Sequence, residues 1–379
     1  MGKIEIKKVE DKKTFNDFLK FPWKVYENDP NWVAPILSHR QKFLDSKKNP
    51  FFKHADVDLY VAYKDGEPAG TIAAFVDHTY NEYWKENVAH FGFFESINDF
   101  EVAKALFDTA EEFARKNKKD ALRGPFNFST NHTCGLLIEG FDSPPVVEMT
   151  YNPEYYVKFI DDLGFEKYMD LLAYYIEAHD PPEGLVKAAE KVKKRANISV
   201  RTFSLLHFFR DDRITKDIYN DAWSKNCCFV PMDDEEYEFV SNHTLFYADP
   251  KLVRIGSVDG KEVGFTVALP DLNQYLIKFR SGKLPLSALL KIYLSKIGLA
   301  KLKEVDRIRV YTLGIKRAYH DVGLGAVLYL DVWQRGMELG YKSAEMSWIL
   351  ENNEPMNWAI QALGGRVYKR YRLYTKNLK

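Results

Sequence analysis

Near the C-terminal end of the chain, the apolar pattern changes from that of a strand to that of a helix. Residues 307–312 form a β-branched run and predict a strand. The apolar positions that follow are spaced by three and four residues, which predicts a helix: Leu324, Val327, Leu328 and Val332. Gly323 and Gly325 lie where the strand gives way to the helix. Such a turn presents backbone N–H groups at the positive end of the helix dipole, so it is suited to binding a phosphate.

Two short patterns occur twice in the chain. Alternating apolar residues lead into a turn at Asp65-Gly66, and a second hairpin of the same kind turns at Asp259-Gly260. A Leu-Gly pair followed by a tyrosine occurs at Leu163-Gly164 and again at Leu363-Gly364. Both repeats are about 200 residues apart and in the same order, which indicates two copies of one α/β unit.

The repeats predict a first domain over residues 1–178 and a second over residues 185–379. The break at residues 179–184 contains Pro181-Pro182 and Gly184 and predicts a linker. In the first copy, the strand over residues 88–94 leads into residues 95–99, which contain no glycine and two acids, Glu95 and Asp99. We therefore expect the phosphate-binding turn only in the second copy. Residues 123–145 are rich in turn-forming residues and predict a long loop.

The C-terminal part of the chain resembles the acyl-CoA-binding region of the GNAT acyltransferases. The family pattern Gln/Arg-x-x-Gly-x-Gly/Ala is matched by residues 320–325, read as His-Asp-Val-Gly-Leu-Gly. A predicted strand over 342–349, a helix over 355–363 and a closing strand over 366–374 follow in the family's order. The resemblance implies an α/β (α+β mixed-sheet) fold of two tandem GNAT-like units, each a twisted, mostly antiparallel sheet flanked by helices.

The resemblance also implies an acyl-CoA site and no metal. Acetyl-CoA or a longer acyl-CoA would be the co-substrate. Its contacts would come from Leu313, Ile315, His320, Asp321, Val322, Gly323, Leu324, Gly325, Ala326 and Asn353. Two residues depart from the family. His320 replaces the usual Arg or Gln, which makes one phosphate contact weaker or pH-dependent. Ile360 stands where the family often has a tyrosine general acid.

Catalysis in such a site needs proximity and a base for the ammonium proton. Glu351, at the mouth of the fifth strand, is the candidate base, and Tyr311 is the candidate acid in place of the missing tyrosine. Simpler interpretations stay open: Glu351 as a solvated carboxylate and Tyr311 as a core residue. Asn353 fits a helix N-cap as well as a cofactor contact. Asp271 and Asn273 are candidates to hold the substrate, although turn chemistry explains them equally well.

The segment 278–304 is apolar and basic. Leucine, isoleucine and tyrosine alternate with lysine and arginine, and Glu304 is its only acid. A helix of this composition lies on an anionic membrane surface, lines a lipid pocket, or packs into the core with its lysines reaching solvent. Tandem proteins of this appearance include bacterial ceramide synthases, so the resemblance suggests a lipid-like amine as acceptor.

Composition narrows the function class. The 379 residues are 46% hydrophobic, enough for two packed domains, and 54 basic residues balance 54 acidic ones, which argues against a nucleic-acid partner. The three cysteines lack both disulfide and metal-ligand spacing. No signal peptide or apolar run of membrane-spanning length is seen, so we expect a cytoplasmic protein that contacts a membrane, if at all, through residues 278–304. Monomer and homodimer stay open.

The resemblance to the GNAT acyltransferases implies an acyl-CoA-dependent N-acyltransferase that transfers an acetyl or longer acyl group to a small-molecule or lipid-like amine. A FemX-like aminoacyl transferase, also built from paired GNAT units, is one alternative, although the neutral charge disfavours a tRNA-binding surface. A non-catalytic acyl-CoA-binding or lipid-binding protein is another, favoured by Ile360.

Overall fold

The computed structural model describes residues 2–379. The strands are β1 (Ile4–Lys8), β2 (Ala55–Lys64), β3 (Glu67–Asp77), β4 (Val88–Ser96), β5 (Ala121–Gly124), β6 (Phe126–Asn127), β7 (Thr133–Cys134), β8 (Leu136–Glu139), β9 (Glu166–Glu177), β10 (Ile198–Thr202), β11 (Val253–Val258), β12 (Lys261–Pro270), β13 (Arg307–Ile315), β14 (Ser343–Leu350) and β15 (Arg366–Asn377). The helices are α1 (Lys12–Val25), α2 (Leu37–Leu44), α3 (His78–Trp84), α4 (Phe100–Lys116), α5 (Tyr155–Asp162), α6 (Glu183–Arg195), α7 (Phe208–Ala222), α8 (Asp234–Thr244), α9 (Asn273–Leu276), α10 (Leu286–Lys296), α11 (Leu324–Glu338) and α12 (Glu354–Ala362).

The first compact unit consists of the residues up to Leu171 together with Phe279–Lys283 and Lys369–Lys379. Its sheet has the order β1-β2-β3-β4-β5-β15. Neighbouring strands are antiparallel except β4 and β5, which pair in parallel over residues 88–90 and 121–123. Helix α4 begins after Asp99, whose side chain accepts a hydrogen bond from the Glu101 N–H at 3.0 Å. Its apolar stripe is fully buried in the main core of this unit.

The second compact unit consists of Leu172–Lys278 and Leu284–Tyr368. Its sheet has the order β10-β11-β12-β13-β14-β9, with β13 and β14 parallel and the pairs from β10 to β13 antiparallel. Helix α11 buries Leu324, Val327 and Leu328 in a core that also includes residues of α6, β10 and β12. The spacing of three and four residues that predicted this helix is the spacing of its buried face.

The two sheets follow the same plan. In each, an antiparallel run is followed by one parallel pair. Each also carries a β-bulge in the first strand of that pair, because the register shifts in β4 opposite Thr71 and Ala73 and in β13 opposite Val267 and Ala268. The second of these bulges places Tyr311 as the extra residue of β13. The internal duplication inferred from the sequence therefore extends to strand order and strand irregularity.

The last strand of the chain belongs to the first unit. In β15, residues 374–377 pair with residues 121–124 of β5 and residues 370–372 pair with β8. Lys369 is fully buried and donates to the Ser143 carbonyl at 2.8 Å and to the Gly140 carbonyl. Arg372 binds the Asp170 carboxylate through two nitrogens at 2.7 and 3.1 Å.

The second unit takes its terminal strand from β9, which lies next to β14. The compact units therefore differ from the predicted ranges 1–178 and 185–379: residues 172–178 belong to the second unit, and 279–283 and 369–379 belong to the first. The predicted long loop over residues 123–145 is wrong in part, because β5 ends and β6, β7 and β8 lie within it. Over residues 2–379, no helix is both long enough and apolar enough to span a bilayer.

Candidate acyl-CoA site

The parallel strands β13 and β14 separate partway along their length. Their pairing covers residues 307–310 with 343–346 and ends at Val310 and Met346. Beyond that rung, residues 312–315 of β13 pair only with β12 on the other side. Tyr311, the bulged residue, sits where the strands part. This leaves a notch whose one wall is the free backbone edge of a strand, a surface that can hydrogen-bond an extended amide-containing chain.

The notch leads to the N-terminus of α11. A short 3-10 turn over Arg317–Val322 follows β13, and Gly323 then adopts φ +88°, a left-handed conformation suited to glycine. No side chain caps the helix, so its first N–H groups have no such acceptor. At Gly325 a β-carbon would meet only the Ile315 Cδ1 atom, at 3.5 Å. An uncapped helix N-terminus with open space at Gly325 fits a pyrophosphate.

The structure brings most of the predicted cofactor residues to these two features. Leu313 and Ile315 lie on β13, and residues 320–326 form the turn and the first residues of α11. His320 is exposed, and its Nε2 lies 2.9 Å from the Ile315 carbonyl, so this ring is held against the end of its own strand. Asp321 is also exposed, and Leu324 is fully buried, so Leu324 can offer a ligand only its backbone.

Asn353, the remaining predicted cofactor residue, caps helix α12. Its side-chain oxygen accepts from the Met356 N–H at 3.4 Å. The helix-capping role, which the sequence left open, is thus present in the structure. The role in cofactor binding stays a prediction.

The predicted catalytic and substrate residues have different surroundings. Glu351 follows β14 and is partly exposed. Tyr311 lies 5.0 Å from the Arg309 guanidinium, measured to the ring centroid. Asp271 is fully buried, and its carboxylate accepts two hydrogen bonds from Arg307 at 2.7 and 2.9 Å. Asn273 begins the short helix α9. Asp271 therefore has a structural ion pair, and its contact with substrate stays a prediction.

A buried polar network at the closed end of the notch was missed by the sequence reasoning. Glu345 is fully buried opposite Arg309 in the strand pairing. Its carboxylate accepts from the Ser347 hydroxyl at 2.5 Å and from the Tyr368 hydroxyl. Arg309, 1% exposed, donates to the Ser347 hydroxyl and carbonyl, each at 3.1 Å. Burial raises the pKa of Glu345 to about 7, although the charge of Arg309 opposes that rise.

The sequence does contain a signal for this network. Polar residues alternate in β14 at Ser343, Glu345 and Ser347, and in β13 at Arg307 and Arg309. Alternation of this kind places polar side chains on one face of adjacent strands. That face is buried here, so its charged groups must be paired.

The position of the family's usual tyrosine is part of the core. Ile360 is 1% exposed and packs with Leu172, Tyr174 and Met346. Another tyrosine lies between helices α11 and α12: the hydroxyl of Tyr329, on α11, contacts the Met356 sulfur of α12. Burial raises the pKa of Tyr329 above its usual value. Tyr329 was also missed, because its helical spacing is the spacing of a core residue.

The corresponding notch in the first unit is filled by its own chain. The parallel pairing of β4 and β5 ends at His90 and Arg123, and β6 follows directly. A β-carbon at Gly92 would lie 1.7 Å from the Phe126 carbonyl oxygen, and the Phe93 N–H donates to the Asn127 side chain at 2.7 Å. The segment 126–127 thus occupies the strand edge that is free in the second unit.

Comparison with known proteins gives relatives that match nearly the whole chain. No family model matches. The chain is 30% identical over 377 residues to "Protein YghO" of Escherichia coli strain K12, covering 97% of this chain and 94% of that protein. It is 31% identical over 369 residues to "Bacterial ceramide synthase" of Caulobacter vibrioides, covering 95% and 94%.

Solved structures show the same fold at low sequence identity. A tandem GNAT protein from the clavulanic acid biosynthesis pathway superposes with a TM-score of 0.58 at 13% identity, covering 100% of this chain and 99% of that one. A probable N-acyltransferase from Enterococcus faecalis V583 gives 0.51 at 11% identity, covering 100% and 73%. The predicted fold class, two tandem GNAT-like units built on mixed sheets, is confirmed.

Proposed function

Since the chain belongs to the family of Protein YghO and the bacterial ceramide synthase and has the GNAT fold, we propose that it transfers an acyl group from acyl-CoA to an amine. One observation carries the choice of donor: the strand pairing ends at Val310 and Met346, and the free edge of β13 leads directly to the uncapped N-terminus of α11. An extended amide arm and a pyrophosphate fit these two features in that order.

In this proposal, groups of the chain itself orient the acyl-CoA and accept the proton that the amine loses. Backbone groups of residues 311–315 hold the pantetheine arm, and the N–H groups at residues 323–326 hold the pyrophosphate. The bound acyl-CoA supplies the thioester that the amine attacks. With both partners held in place, proximity supplies much of the rate enhancement.

The proton lost by the attacking amine goes to a carboxylate beside the notch. Glu345, with its pKa near 7, can accept a proton at physiological pH, and the Ser347 hydroxyl extends from it toward the point where the strands part. Glu351 at the strand end is the second candidate base. Tyr311 is the candidate donor of a proton to the leaving thiolate.

The proposed acceptor is a lipid-like amine. The Caulobacter relative is named a bacterial ceramide synthase, and it aligns with 95% of this chain. The second unit also carries a large exposed apolar surface. Both observations favour an acceptor with a long apolar chain over a small polar amine.

A non-catalytic acyl-CoA-binding protein is the second candidate function. It is favoured by Ile360, which fills the usual position of the general acid with an apolar core residue. The two candidates differ in one measurable respect: release of free CoA when acyl-CoA is mixed with long-chain amines.

The donor site is tested by Gly325→Glu with Gly325→Gln as its matched control. There is room at this position for a side chain, so both variants are expected to fold, but only the glutamate places a negative charge where the pyrophosphate would bind. We expect calorimetry to show acyl-CoA binding to wild type, weaker binding to Gly325→Gln and about a hundredfold further loss in Gly325→Glu. Equal binding by the two variants, or none by wild type, contradicts the proposed donor site.

A further inference from the structure

Most of the exposed large apolar side chains lie in two segments of the second unit. Among residues 2–379, twelve large apolar side chains are exposed, and nine belong to residues 205–209 or 286–299. Those nine, which we call the apolar face, are Leu205, Leu206, Phe209, Leu286, Leu289, Leu290, Tyr293, Ile297 and Leu299. Several are almost fully exposed, with Leu206 at 94% and Leu286 at 81%. Such a concentration marks an interaction surface.

Helix α10 presents this face because its opposite side is already packed. Ala288 and Ile292 are buried, and Lys296 turns inward to donate to the Leu245 and Phe246 carbonyls at 2.6 Å each. The α10 residues on the opposite side, which are spaced by three and four, are therefore exposed to solvent. The interpretation of segment 278–304 as a buried helix therefore holds for one side of α10 only.

The two segments border the same stretch of chain, residues 245–253. The Phe203 N–H, just before the first segment, donates to the Val253 carbonyl at 2.9 Å. The Lys251 ammonium lies 3.8 Å from the position of a β-carbon at Gly298, within the second segment. Phe203 and Gly298, distant in sequence, thus both lie near residues 251–253 of the second unit.

The charges around the apolar face are basic. Lys251, Lys291, Lys301 and Lys303 are exposed, and residues 278–303 contain no Asp or Glu. The first acid after them, Glu304, pairs with Lys278 at 3.2 Å. Exposed leucines edged by lysines are typical of helices that lie in a membrane interface. Protein–protein interfaces, in contrast, are depleted of lysine, and leucine contributes little to their binding hot spots.

We propose that the apolar face docks this protein on an anionic phospholipid bilayer. The leucines and Tyr293 enter the boundary between headgroups and acyl chains, while the four lysines bind the lipid phosphates. This goes beyond the proposed transferase activity and does not depend on it. It gives the chain a means of meeting substrates that partition into membranes.

Sedimentation with vesicles tests the docking. We expect the full chain to sediment with vesicles of phosphatidylcholine and phosphatidylglycerol, and far less with phosphatidylcholine alone or at high salt. Replacing Leu206, Leu290 and Tyr293 by serine should weaken binding by about tenfold or more for each side chain. Replacing Lys291, Lys301 and Lys303 by glutamine should weaken it by about fivefold for each charge. Trp358→Ser, which removes an exposed aromatic ring outside the apolar face, is the matched control and should bind as wild type.

The possible outcomes separate a membrane from other partners. Circular dichroism checks that each variant is folded. We expect all of them to fold, because the substituted side chains are exposed. If wild type does not sediment with anionic vesicles, or if the serine variant binds like wild type, the proposal is wrong. If wild type ignores vesicles but forms a dimer that the serine variant dissociates, the face belongs to a second copy of the chain instead. Equal binding to neutral and anionic vesicles would contradict the proposal that the lysines bind anionic lipid phosphates.

Discussion

Glu345, near the notch, is a carboxylate with no exposure to solvent, and this burial perturbs its pKa. If it is the base, activity requires its charged form. The rate of wild type should then rise with pH through about 7, the pKa that burial gives Glu345. Glu345→Gln should lower kcat by about a hundredfold or more and abolish this rise. The measurement is the pH profile of kcat with saturating acyl-CoA and amine.

A second variant separates catalysis by Glu345 from a structural role. Glu351→Gln should keep the rise near pH 7 if Glu345 is the base. Stability gives an independent readout. The folded state favours the protonated Glu345, so its contribution to the free energy of unfolding should fall as pH rises from about 4.5 to about 7 and stay constant above that. Glu345→Gln should remove this dependence; a lost kcat with an unchanged pH profile would make Glu345 a structural residue only.

At the scale of elements, the two notches predict how much acyl-CoA the chain binds. The second unit keeps a free strand edge beyond Val310, whereas in the first unit residues 126–127 cover the matching edge. We therefore expect calorimetry to give one acyl-CoA bound per chain. Gly325→Glu should weaken this binding by more than about a hundredfold. A second equivalent that survives in Gly325→Glu would show that segment 126–127 moves aside for ligand.

Strands and helices with regular spacing were largely predictable from the sequence. The strand expected over 307–312 extends to Ile315, and the helix expected over 355–363 runs over Glu354–Ala362. Local apolar periodicity and capping residues determine such elements, so they can be read without the fold. The short strands β6 to β8 and the end of β5 were read as loop because each has too few residues to show alternation.

Contacts between distant segments could not be predicted in the same way. The ion pair of Asp271 with Arg307 and the network of Glu345 with Arg309 depend on which strands become neighbours. A single polar residue in a strand gives no indication of its partner. The same limit applies to β6, because its sequence does not reveal that it lies along β4.

At the scale of the whole molecule, the C-terminal residues of the chain belong to the same compact unit as its N-terminal residues. The similar Leu-Gly motifs at residues 163 and 363 made each half look self-contained, yet the strand after the second motif completes the first unit and β9 completes the second. Neither compact unit is therefore a continuous stretch of sequence. The stability of residues before Leu171 should depend on the last eleven residues of the chain, Lys369–Lys379.

Lys369 provides the sharpest test of that dependence. It is fully buried and donates to the carbonyls of Gly140 and Ser143. Lys369→Met keeps the apolar stem but leaves both carbonyls without this donor, which should cost about 1–3 kcal/mol in the free energy of unfolding measured with urea. Lys379→Met, which breaks only an exposed ion pair with Asp120, should cost less than about 1 kcal/mol. In hydrogen exchange, Lys369→Met should lower the protection of β8 and β5, near the contacts that it removes. Loss of protection confined to β10–β14 would contradict the assignment of the last strand to the first unit.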